Sequence, residues 1–400
     1  MSQPTSAPAT LPAILGGAPL FPELVPIVRP ALPSFAELAP DFEDMFQTRM
    51  LTRGKYLRAF EEAVAKHLGC KHALAVSSGS SALMLSYQGL GLKGDVIVPS
   101  FTFMATVNAL IWNNCRPVFV DVLPDTQCID PEAVEAAITP ATTGIVAVHN
   151  FGNPVDCDRL EAVAKRHNLK VVYDAAHGFG SLYQGKPVGG QGDAQCFSLS
   201  PTKLLIAGEG GIVTTNHDDL AEHVRVGREY GMVPVYDTRF PGLNARMSEM
   251  HALVGLRSLT LLEEGVQRRQ ELVALFKREL ATVPGLGYQT ILPGDRCSYK
   301  DFSITVNPQE FGLTAPQLAK ALKHDNVDNR QYWVPPVHQQ SAYRRFAPSA
   351  ETLHNTNWLA DVSLSLPIWS RMDDDVVIGI CRAIQQIHEH AAAVGRALVE

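Results

Sequence analysis

The sequence predicts an α/β protein in which a mostly parallel sheet lies between layers of helices and a smaller α+β unit follows towards the C-terminus. Short apolar runs of four to six residues alternate with helical patterns between residues 56 and 215, which is typical of parallel sheets. The runs lack a polar face, as expected for strands that helices cover on both sides. With 400 residues, of which 46% are hydrophobic, the chain is long enough for a large core and a smaller companion.

The predicted elements follow one another as strand, turn and helix. Residues 56–68 carry apolar side chains four apart and predict an amphipathic helix that ends at Gly69. Helices are also expected over residues 82–89 and about 105–113. The predicted strands are residues 73–76, 95–98, 117–120, 144–148, 169–173 and 212–215, the last of which is expected to run back beside the others.

Three regions are predicted along the chain. Prolines block continuous helix at the start, so residues 1–34 are expected to form an extended segment. Residues 35–255 are expected to form a large domain. A long helical pattern that begins near Ser248 leads out of this domain, and residues 256–400 are expected to form a small α+β domain.

Composition excludes several classes of protein. A formal net charge of -7 without a long basic run argues against nucleic acid as the main partner. No apolar run approaches the roughly 20 residues that span a bilayer, and the start does not resemble a secretory signal, so a cytoplasmic location is expected. The 7 cysteines show no Cys-x-x-Cys pairing, and the 13 histidines show no zinc-hydrolase pairing, so neither a disulfide scaffold nor a metal site is expected.

The strongest chemical signal is Lys203. It follows Ser198 and Ser200 at the end of a short apolar segment and precedes a glycine-rich turn, while Asp174 ends another apolar strand. Open α/β sheets build their sites at such strand ends. A lysine that forms a Schiff base and an aspartate that pairs with a pyridinium nitrogen are the groups that pyridoxal phosphate chemistry needs. The combination predicts a pyridoxal phosphate site, although either residue alone would be read as a surface charge or a cap.

Other candidates surround this pair, each with a structural alternative. Gly79, Ser80 and Ser81 open a helix after a strand, where they either bind a phosphate or cap the helix. Phe103 either stacks on a heteroaromatic ring or packs in the core. His177 either donates a hydrogen bond to a ring hydroxyl or satisfies a nearby carbonyl.

Several motifs in one order extend this signal. They are Val-Ser-Ser-Gly-Ser-Ser-Ala-Leu at 76–83, Val-Pro-Ser-Phe-Thr-Phe-Met-Ala-Thr at 98–106, Asp-Ala-Ala-His at 174–177, Ser-Leu-Ser-Pro-Thr-Lys at 198–203 and Gly-Glu-Gly-Gly at 208–211. With these motifs the chain, from about Phe35 onward, resembles the DegT/DnrJ/StrS family of pyridoxal phosphate-dependent aminotransferases, which act largely on nucleotide-linked keto-sugars.

The resemblance implies a fold-type I protein of the aspartate aminotransferase superfamily, with a seven-stranded sheet in the large, cofactor-binding domain. It implies that Lys203 holds the cofactor and that Asp174 pairs with its ring nitrogen. Ser198 would join Ser80 and Ser81 around the phosphate, with Ser200 nearby. His177 stands where many relatives have glutamine, a change that leaves cofactor binding intact.

The resemblance also implies a homodimer and a substrate region. Asn244 matches a residue that reaches the phosphate in the partner subunit, although a helix cap is an adequate alternative. Arg330, Tyr332 and His338 match a segment near the substrate, with Arg330 as a candidate anchor for a substrate phosphate.

The expected reaction moves an amino group from an amino acid, expected to be L-glutamate, to a nucleotide-linked keto-deoxysugar. Lys203 would form the internal aldimine, and pyridoxamine phosphate would be the intermediate. Three alternatives stay open: a cyclitol or other non-nucleotide ketone as acceptor, a pyridoxal phosphate-dependent sugar dehydratase, and a non-enzymatic regulator with this fold. Some relatives that remove a hydroxyl carry histidine in place of the lysine, so Lys203 argues against the dehydratase.

Overall fold

The structure is a computed structural model that describes residues 11–234 and 236–398. The first part of the predicted proline-rich segment, including Pro4 and Pro8, lies outside the described residues. Among the helices described, none is both long and apolar enough to cross a membrane.

Helices and strands alternate through most of the chain. The α-helices are α1 (Phe35–Thr48), α2 (Lys55–Leu68), α3 (Gly79–Gly89), α4 (Met104–Trp112), α5 (Pro131–Ala136), α6 (Cys157–His167), α7 (Asp218–Gly227), α8 (Glu249–Leu259), α9 (Leu262–Glu279), α10 (Pro308–Phe311), α11 (Ala315–His324), α12 (His354–Val362), α13 (Asp374–Glu389) and α14 (Ala391–Ala397). The strands are β1 (His72–Val76), β2 (Gly94–Pro99), β3 (Cys115–Val120), β4 (Thr142–Val148), β5 (Lys170–Asp174), β6 (Leu182–Tyr183), β7 (Lys186–Pro187), β8 (Ala194–Ser198), β9 (Gly211–Thr215), β10 (Met232–Val233), β11 (Asp237–Thr238), β12 (Leu286–Tyr288), β13 (Phe302–Val306) and β14 (Ser363–Leu366). Short 3₁₀ helices occur at Ala13–Leu15, Asn150–Gly152, Val337–Gln339, Arg344–Phe346 and Ala350–Leu353.

Seven strands form the central sheet in the order β1-β9-β8-β5-β4-β2-β3. Strand β9 is antiparallel to both of its neighbours, and the other pairs in the sheet are parallel. The predicted α/β class, the mostly parallel sheet and the returning strand are therefore confirmed. Because six strands run in one direction, their carboxyl ends meet at one edge of the sheet.

Helices cover both faces of this sheet. On one face, Ile97, Ile145 and Val171 belong to a core that also contains residues of α2, α6 and α8. On the other face, Val146 and Val172 belong to a core with residues of α3, α4 and α7. Successive residues of a strand therefore enter different cores, which explains why the strands are apolar throughout.

The helical pattern from Ser248 is not one helix. Ser248 caps α8, which ends at Leu259, and α9 starts after Leu261. The break lets α9 begin in the first core with Val266 and end in a separate C-terminal core with Phe276. The long helical pattern is thus divided between α8 and α9, because the spacing of the leucines does not reveal that α9 passes from the first core to the C-terminal core.

The C-terminal core packs around the three-stranded antiparallel sheet β12-β13-β14, with buried residues from α9, α11 and α13. The N-terminal segment lies against the same core. Val25 is buried there and forms a bridge with Val327, and the guanidinium of Arg29 lies 5.1 Å from the centre of the Trp369 ring. The described part of the predicted extended segment is thus packed along the C-terminal unit, while the boundaries 1–34, 35–255 and 256–400 stay predictions.

Candidate active site

A cavity of about 300 Å³ opens where the carboxyl ends of the parallel strands meet. Loops after β1, β2, β5 and β8 supply most of its wall, in agreement with the rule that open α/β sheets bind ligands at this edge. The predicted site residues that line it are Gly79, Ser80, Phe103, Asp174, His177, Ser198, Ser200, Lys203 and Tyr332.

Lys203 is half-buried in this wall and carries an amine without a fixed partner. Within the described part of the chain, its Nζ has neither a hydrogen bond nor an ion pair, while its backbone N–H donates to the carbonyl of Ser200 at 3.0 Å. The pKa of the Lys203 amine is lowered to about 7, first by burial and then by repulsion from Lys300, whereas Asp301 and Asp174 act in the opposite direction. An amine in this state is nucleophilic at neutral pH.

Asp174 ends β5 as a buried carboxylate. Its Oδ2 accepts from the Thr106 hydroxyl at 2.7 Å, and its Oδ1 accepts from the backbone N–H of Ala176 at 3.1 Å. Burial raises the pKa of this carboxyl, and both hydrogen bonds oppose that rise. A buried carboxylate on a cavity wall is suited to a cationic ring nitrogen, since such a partner would offset the cost of burial.

The ring of His177 is buried and fixed in one tautomer. Its Nδ1 accepts from the backbone N–H of Phe151 at 3.2 Å, so the proton of the neutral ring is on Nε2. Burial lowers the pKa of His177 well below its usual value, and the charges of Lys203 and Lys300 add to this effect. The sequence leaves open a hydrogen bond from His177 to a nearby carbonyl. In the structure His177 instead accepts from a backbone N–H, which leaves Nε2 as a donor for another group.

The start of α3 forms one side of the cavity. The Oγ of Ser78 accepts from the backbone N–H of Ser81 at 3.1 Å, and the Oγ of Ser81 accepts from that of Ser78 at 3.0 Å. This reciprocal cap occupies Ser81 away from the cavity, whereas Ser80 is exposed on its wall. A Cβ on Gly79 would lie only 3.0 Å from the Cβ of Ser198, so glycine permits the close approach of α3 and β8.

Four predicted residues do not line the cavity of this chain. Ser81 is held in the cap, and Asn244 is exposed, with its Oδ1 accepting from Arg246 at 3.2 Å. Arg330 is exposed and forms an ion pair with Asp328. His338 is buried, and its Nδ1 lies 2.7 Å from the hydroxyl of Ser100, which fixes the 337–339 turn on the end of β2. Their assigned roles stay predictions.

Three important side chains of the site were not predicted from the sequence. Lys300 lines the cavity from the loop before β13, and Thr106 orients Asp174. The Trp333 ring lies nearly parallel to His177, with 6.2 Å between ring centres. Thr106 is the last residue of the 98–106 motif, and Trp333 follows Tyr332. Lys300 carries no such signal, because a Lys-Asp pair before a strand looks like an exposed charge pair.

The residues fit pyridoxal phosphate. Asp174 suits the ring nitrogen, Lys203 suits the aldehyde, and the first turn of α3 presents unpaired backbone N–H groups beside the hydroxyls of Ser80 and Ser198. Helix N-termini with neighbouring hydroxyls are common phosphate sites. In the described residues, no group of three or more histidine, cysteine or carboxylate side chains is arranged to hold a metal ion.

Comparisons with known proteins agree with this geometry. The family model described as the DegT/DnrJ/EryC1/StrS aminotransferase family matches residues 35–385. The chain is 31% identical over 368 residues to dTDP-4-amino-4,6-dideoxy-D-glucose transaminase of Escherichia coli, covering 90% of this chain and 98% of that protein. It is 32% identical over 360 residues to the spore coat polysaccharide biosynthesis protein SpsC of Bacillus subtilis, covering 86% and 92%.

A solved structure, DesI in the presence of its TDP-sugar product, superposes with a TM-score of 0.90 and 34% identity, covering 98% of this chain and 99% of that one. The family match spans most of the chain, and the fold, the enzyme class and the cofactor expected from the motifs are confirmed. The chain therefore belongs to the DegT/DnrJ/EryC1/StrS family and is a pyridoxal phosphate-dependent aminotransferase.

Proposed function

We propose that this aminotransferase moves the amino group of L-glutamate to the ketone of a nucleotide-linked keto-deoxysugar. The observation that carries the amine-transfer chemistry is the meeting of the Lys203 amine and the buried Asp174 carboxylate in one cavity. The sugar acceptor is supported by the relatives, one named as a transaminase of a dTDP-linked amino sugar and one solved with a TDP-sugar product.

Four groups of this chain would hold and tune the cofactor, which when bound supplies an electron sink for the bonding electrons of the donor α-carbon. Asp174 would keep the ring nitrogen protonated. His177 would donate from Nε2 to the ring hydroxyl, and Ser80 and Ser198 would bind the phosphate together with the backbone of α3. The Trp333 ring, nearly parallel to His177, lies on the same cavity wall.

Lys203 has two roles in this proposal. Its neutral amine would attach to the cofactor aldehyde, and after the donor amine displaces it, Nζ would take the proton from the donor α-carbon. Both roles need an unprotonated amine, and a pKa of about 7 provides a large neutral fraction at neutral pH.

We further propose a cytoplasmic homodimer in which Asn244 of each subunit completes the site of the other. Asn244 is exposed and lies outside the cavity of its own chain. Its Oδ1 accepts from Arg246, while its amide nitrogen has no hydrogen bond within the described residues and would serve a neighbour. A second subunit would also cover exposed apolar side chains such as Met50 and Leu51.

The test is the visible absorption of the purified protein with pyridoxal phosphate, before and after excess glutamate, followed by mass spectrometry of products from a TDP-linked keto-deoxysugar. The wild type is expected to show a borohydride-trappable band that glutamate bleaches. Lys203→Ala is expected to lose the trappable band, while Lys71→Ala, which removes an exposed lysine, keeps it.

Asp174→Asn separates the role of the ring-nitrogen partner from that of the lysine. The trappable band is expected to remain, while bleaching by glutamate slows by about 10²–10⁴-fold, because the amide cannot stabilise a protonated ring nitrogen. A wild-type protein that stays colourless, or one that aminates only ketones without a nucleotide, would contradict the proposal.

A further inference from the structure

Lys300 and Asp301 form a buried ion pair in which only the lysine reaches the cavity. The Nζ of Lys300 lies 2.8 Å and 2.9 Å from the two carboxylate oxygens of Asp301, and each side chain is only 7% exposed. Lys300 lines the cavity, whereas Asp301 does not. The pair therefore presents its positive end to the cavity.

Arg269 fixes the backbone that carries this pair. Its side chain, from α9, is 2% exposed, and Nη1 donates to the carbonyls of Tyr299 at 2.7 Å and Lys300 at 3.1 Å. Its Nε donates to the hydroxyl of Ser370 at 3.1 Å. Buried ion pairs contribute little net stability after desolvation. The presence of the Lys300 ammonium on the cavity wall, with this many supporting contacts, is therefore better explained by ligand binding than by a contribution to folding.

Lys300 also supplies the positive charge of the cavity that is not used by the cofactor. Among the described residues that line it, the cationic side chains are Lys203 and Lys300, and Lys203, whose pKa is lowered to about 7, would be committed to the cofactor. Arg330 lies outside the lining and pairs with Asp328. An anionic group that enters beside the cofactor therefore meets the charge of Lys300.

The depth of the Lys300 ammonium in the cavity indicates which anionic group of the substrates it binds. The α-carboxylate of an amino acid is attached to the reacting carbon and must lie deep, beside Lys203. The diphosphate of a nucleotide-linked sugar is separated from the reacting ketone by the sugar ring and belongs nearer the mouth, while Lys300 is almost fully buried. Resting on the proposed function, we propose that Lys300 binds the carboxylate of the amino acid donor, with Arg269 as its positioning residue, while Asp301 is the counter-ion that offsets part of the Lys300 charge.

The test is calorimetric titration of glutarate into the protein loaded with pyridoxal phosphate. Glutarate has the carboxylates of glutamate but no amino group, so binding is measured without reaction. The double variant Lys300→Met with Asp301→Asn removes both charges and leaves no unpaired buried carboxylate. We expect its dissociation constant for glutarate to rise at least about tenfold, which corresponds to about 1.4 kcal/mol.

Two variants and one second ligand separate the alternatives. Asp301→Asn alone keeps the ammonium and is expected to keep wild-type affinity for glutarate or to exceed it, and Lys71→Met is the matched surface control. Lys300→Gln serves as a second variant with the same expectation as the double variant, should the latter fail to fold. Titration of thymidine diphosphate in parallel is expected to give equal affinities for all variants.

Three results would overturn the assignment. They are unchanged glutarate affinity when Lys300 is replaced, an equal loss of glutarate affinity in Asp301→Asn, or loss of thymidine diphosphate binding with intact glutarate binding when Lys300 is replaced. The last result would assign Lys300 to the acceptor diphosphate.

Bleaching of the wild-type absorption band by glutamate is measured separately. Failure of bleaching would refute the proposed donor reaction, whereas intact bleaching with unchanged glutarate affinity would refute only the role of Lys300.

Discussion

At the scale of single residues, the chemistry of Lys203 depends on what surrounds its amine. Burial and the Lys300 ammonium both favour the neutral amine, while Asp174 and Asp301 favour the charged one. The balance leaves the pKa near neutrality, where the amine can act both as nucleophile and as base. A lysine in the same motif on an open surface would be protonated and inert.

The pH dependence of Lys203 follows from this shift. Because its pKa is lowered to about 7, the amine is protonated below that pH and neutral above it. In the cofactor-free protein, acylation of Lys203 should rise steeply between about pH 6 and pH 8 and then level off, whereas an ordinary lysine continues to gain reactivity up to about pH 10. Mass spectrometry of the Lys203 peptide after brief labelling measures this, and the same peptide in urea-unfolded protein is the control. A midpoint near pH 10 in the folded protein would refute the shift.

Motifs identified the residues whose chemistry is intrinsic, and they missed the residue whose role depends on position. Lys203 and Asp174 follow strands that the apolar pattern reveals, so their meeting could be predicted from topology. Lys300 lies far along the chain, in a loop before β13, and reaches the cavity only because the C-terminal unit packs beside the sheet. No local pattern in the sequence encodes that approach.

At the scale of elements, the junction of α3 with β8 and β9 shapes the predicted phosphate site, which consists of the first turn of α3 with Ser80 and Ser198. Strand β9 starts at Gly211, where an added Cβ would lie 2.3 Å from the carbonyl oxygen of Ser78. The glycine-rich turn after Lys203 therefore lets β9 run between β1 and β8. Small residues at this point are a requirement of packing as well as of ligand binding.

Gly79→Ala tests this junction. The new methyl group would press on Ser198 and displace the first turn of α3 by a few tenths of an ångström. We expect a loss of about 1–3 kcal/mol in the free energy of unfolding, typical of overpacking, and a weaker affinity for pyridoxal phosphate. Chemical denaturation and absorption titration measure the two effects. Gly190→Ala, whose Cβ would meet only the Asn216 amide at 3.9 Å, should change neither. Wild-type affinity for pyridoxal phosphate in Gly79→Ala would exclude a phosphate site at this junction.

At the scale of the whole molecule, the N-terminal segment contributes to the stability of the C-terminal unit. The backbone N–H of Leu20 donates to Asp325 at 3.1 Å, and Phe21 packs so closely on α13 that a Cβ at Gly379 would overlap its ring. The segment precedes the residues that the family model matches, 35–385. It lies against the C-terminal core.

Phe21→Ala tests this packing. Phe21 is half-buried, so the lost contact with α13 should lower the free energy of unfolding by about 1 kcal/mol, less than the loss for a fully buried aromatic side chain. Urea denaturation measures the loss, and Phe35→Ala is the matched control, because Phe35 is 76% exposed. Equal stability of the two variants would show that the segment does not support the fold.

The proposed dimer makes a second prediction at this scale. Lys203→Ala and Asn244→Ala should each be nearly inactive, but a hybrid dimer has one site with both native residues. Co-refolding the two variants in equal amounts should therefore restore about a quarter of wild-type activity, since half of the dimers are hybrids and each hybrid has one intact site of two. Activity assays with each variant refolded alone are the controls. Hybrid dimers without activity would rule out a shared site.

By itself, the sequence determined the class of the fold and the central chemistry of the protein. Apolar runs specify strands buried on both faces, Gly69 specifies where α2 ends, and the motifs place Lys203 and Asp174 at strand ends. These are local properties, because they depend on the neighbours of a residue along the chain.

Only the tertiary structure decided the remaining features, because each depends on the packing of distant segments. The division of one helical pattern into α8 and α9 follows from two separate cores. The proton of His177 is placed on Nε2 by the backbone of Phe151, and Ser81, His338 and Arg330 are given partners away from the cavity. Lys300 becomes part of the cavity wall through the same long-range packing.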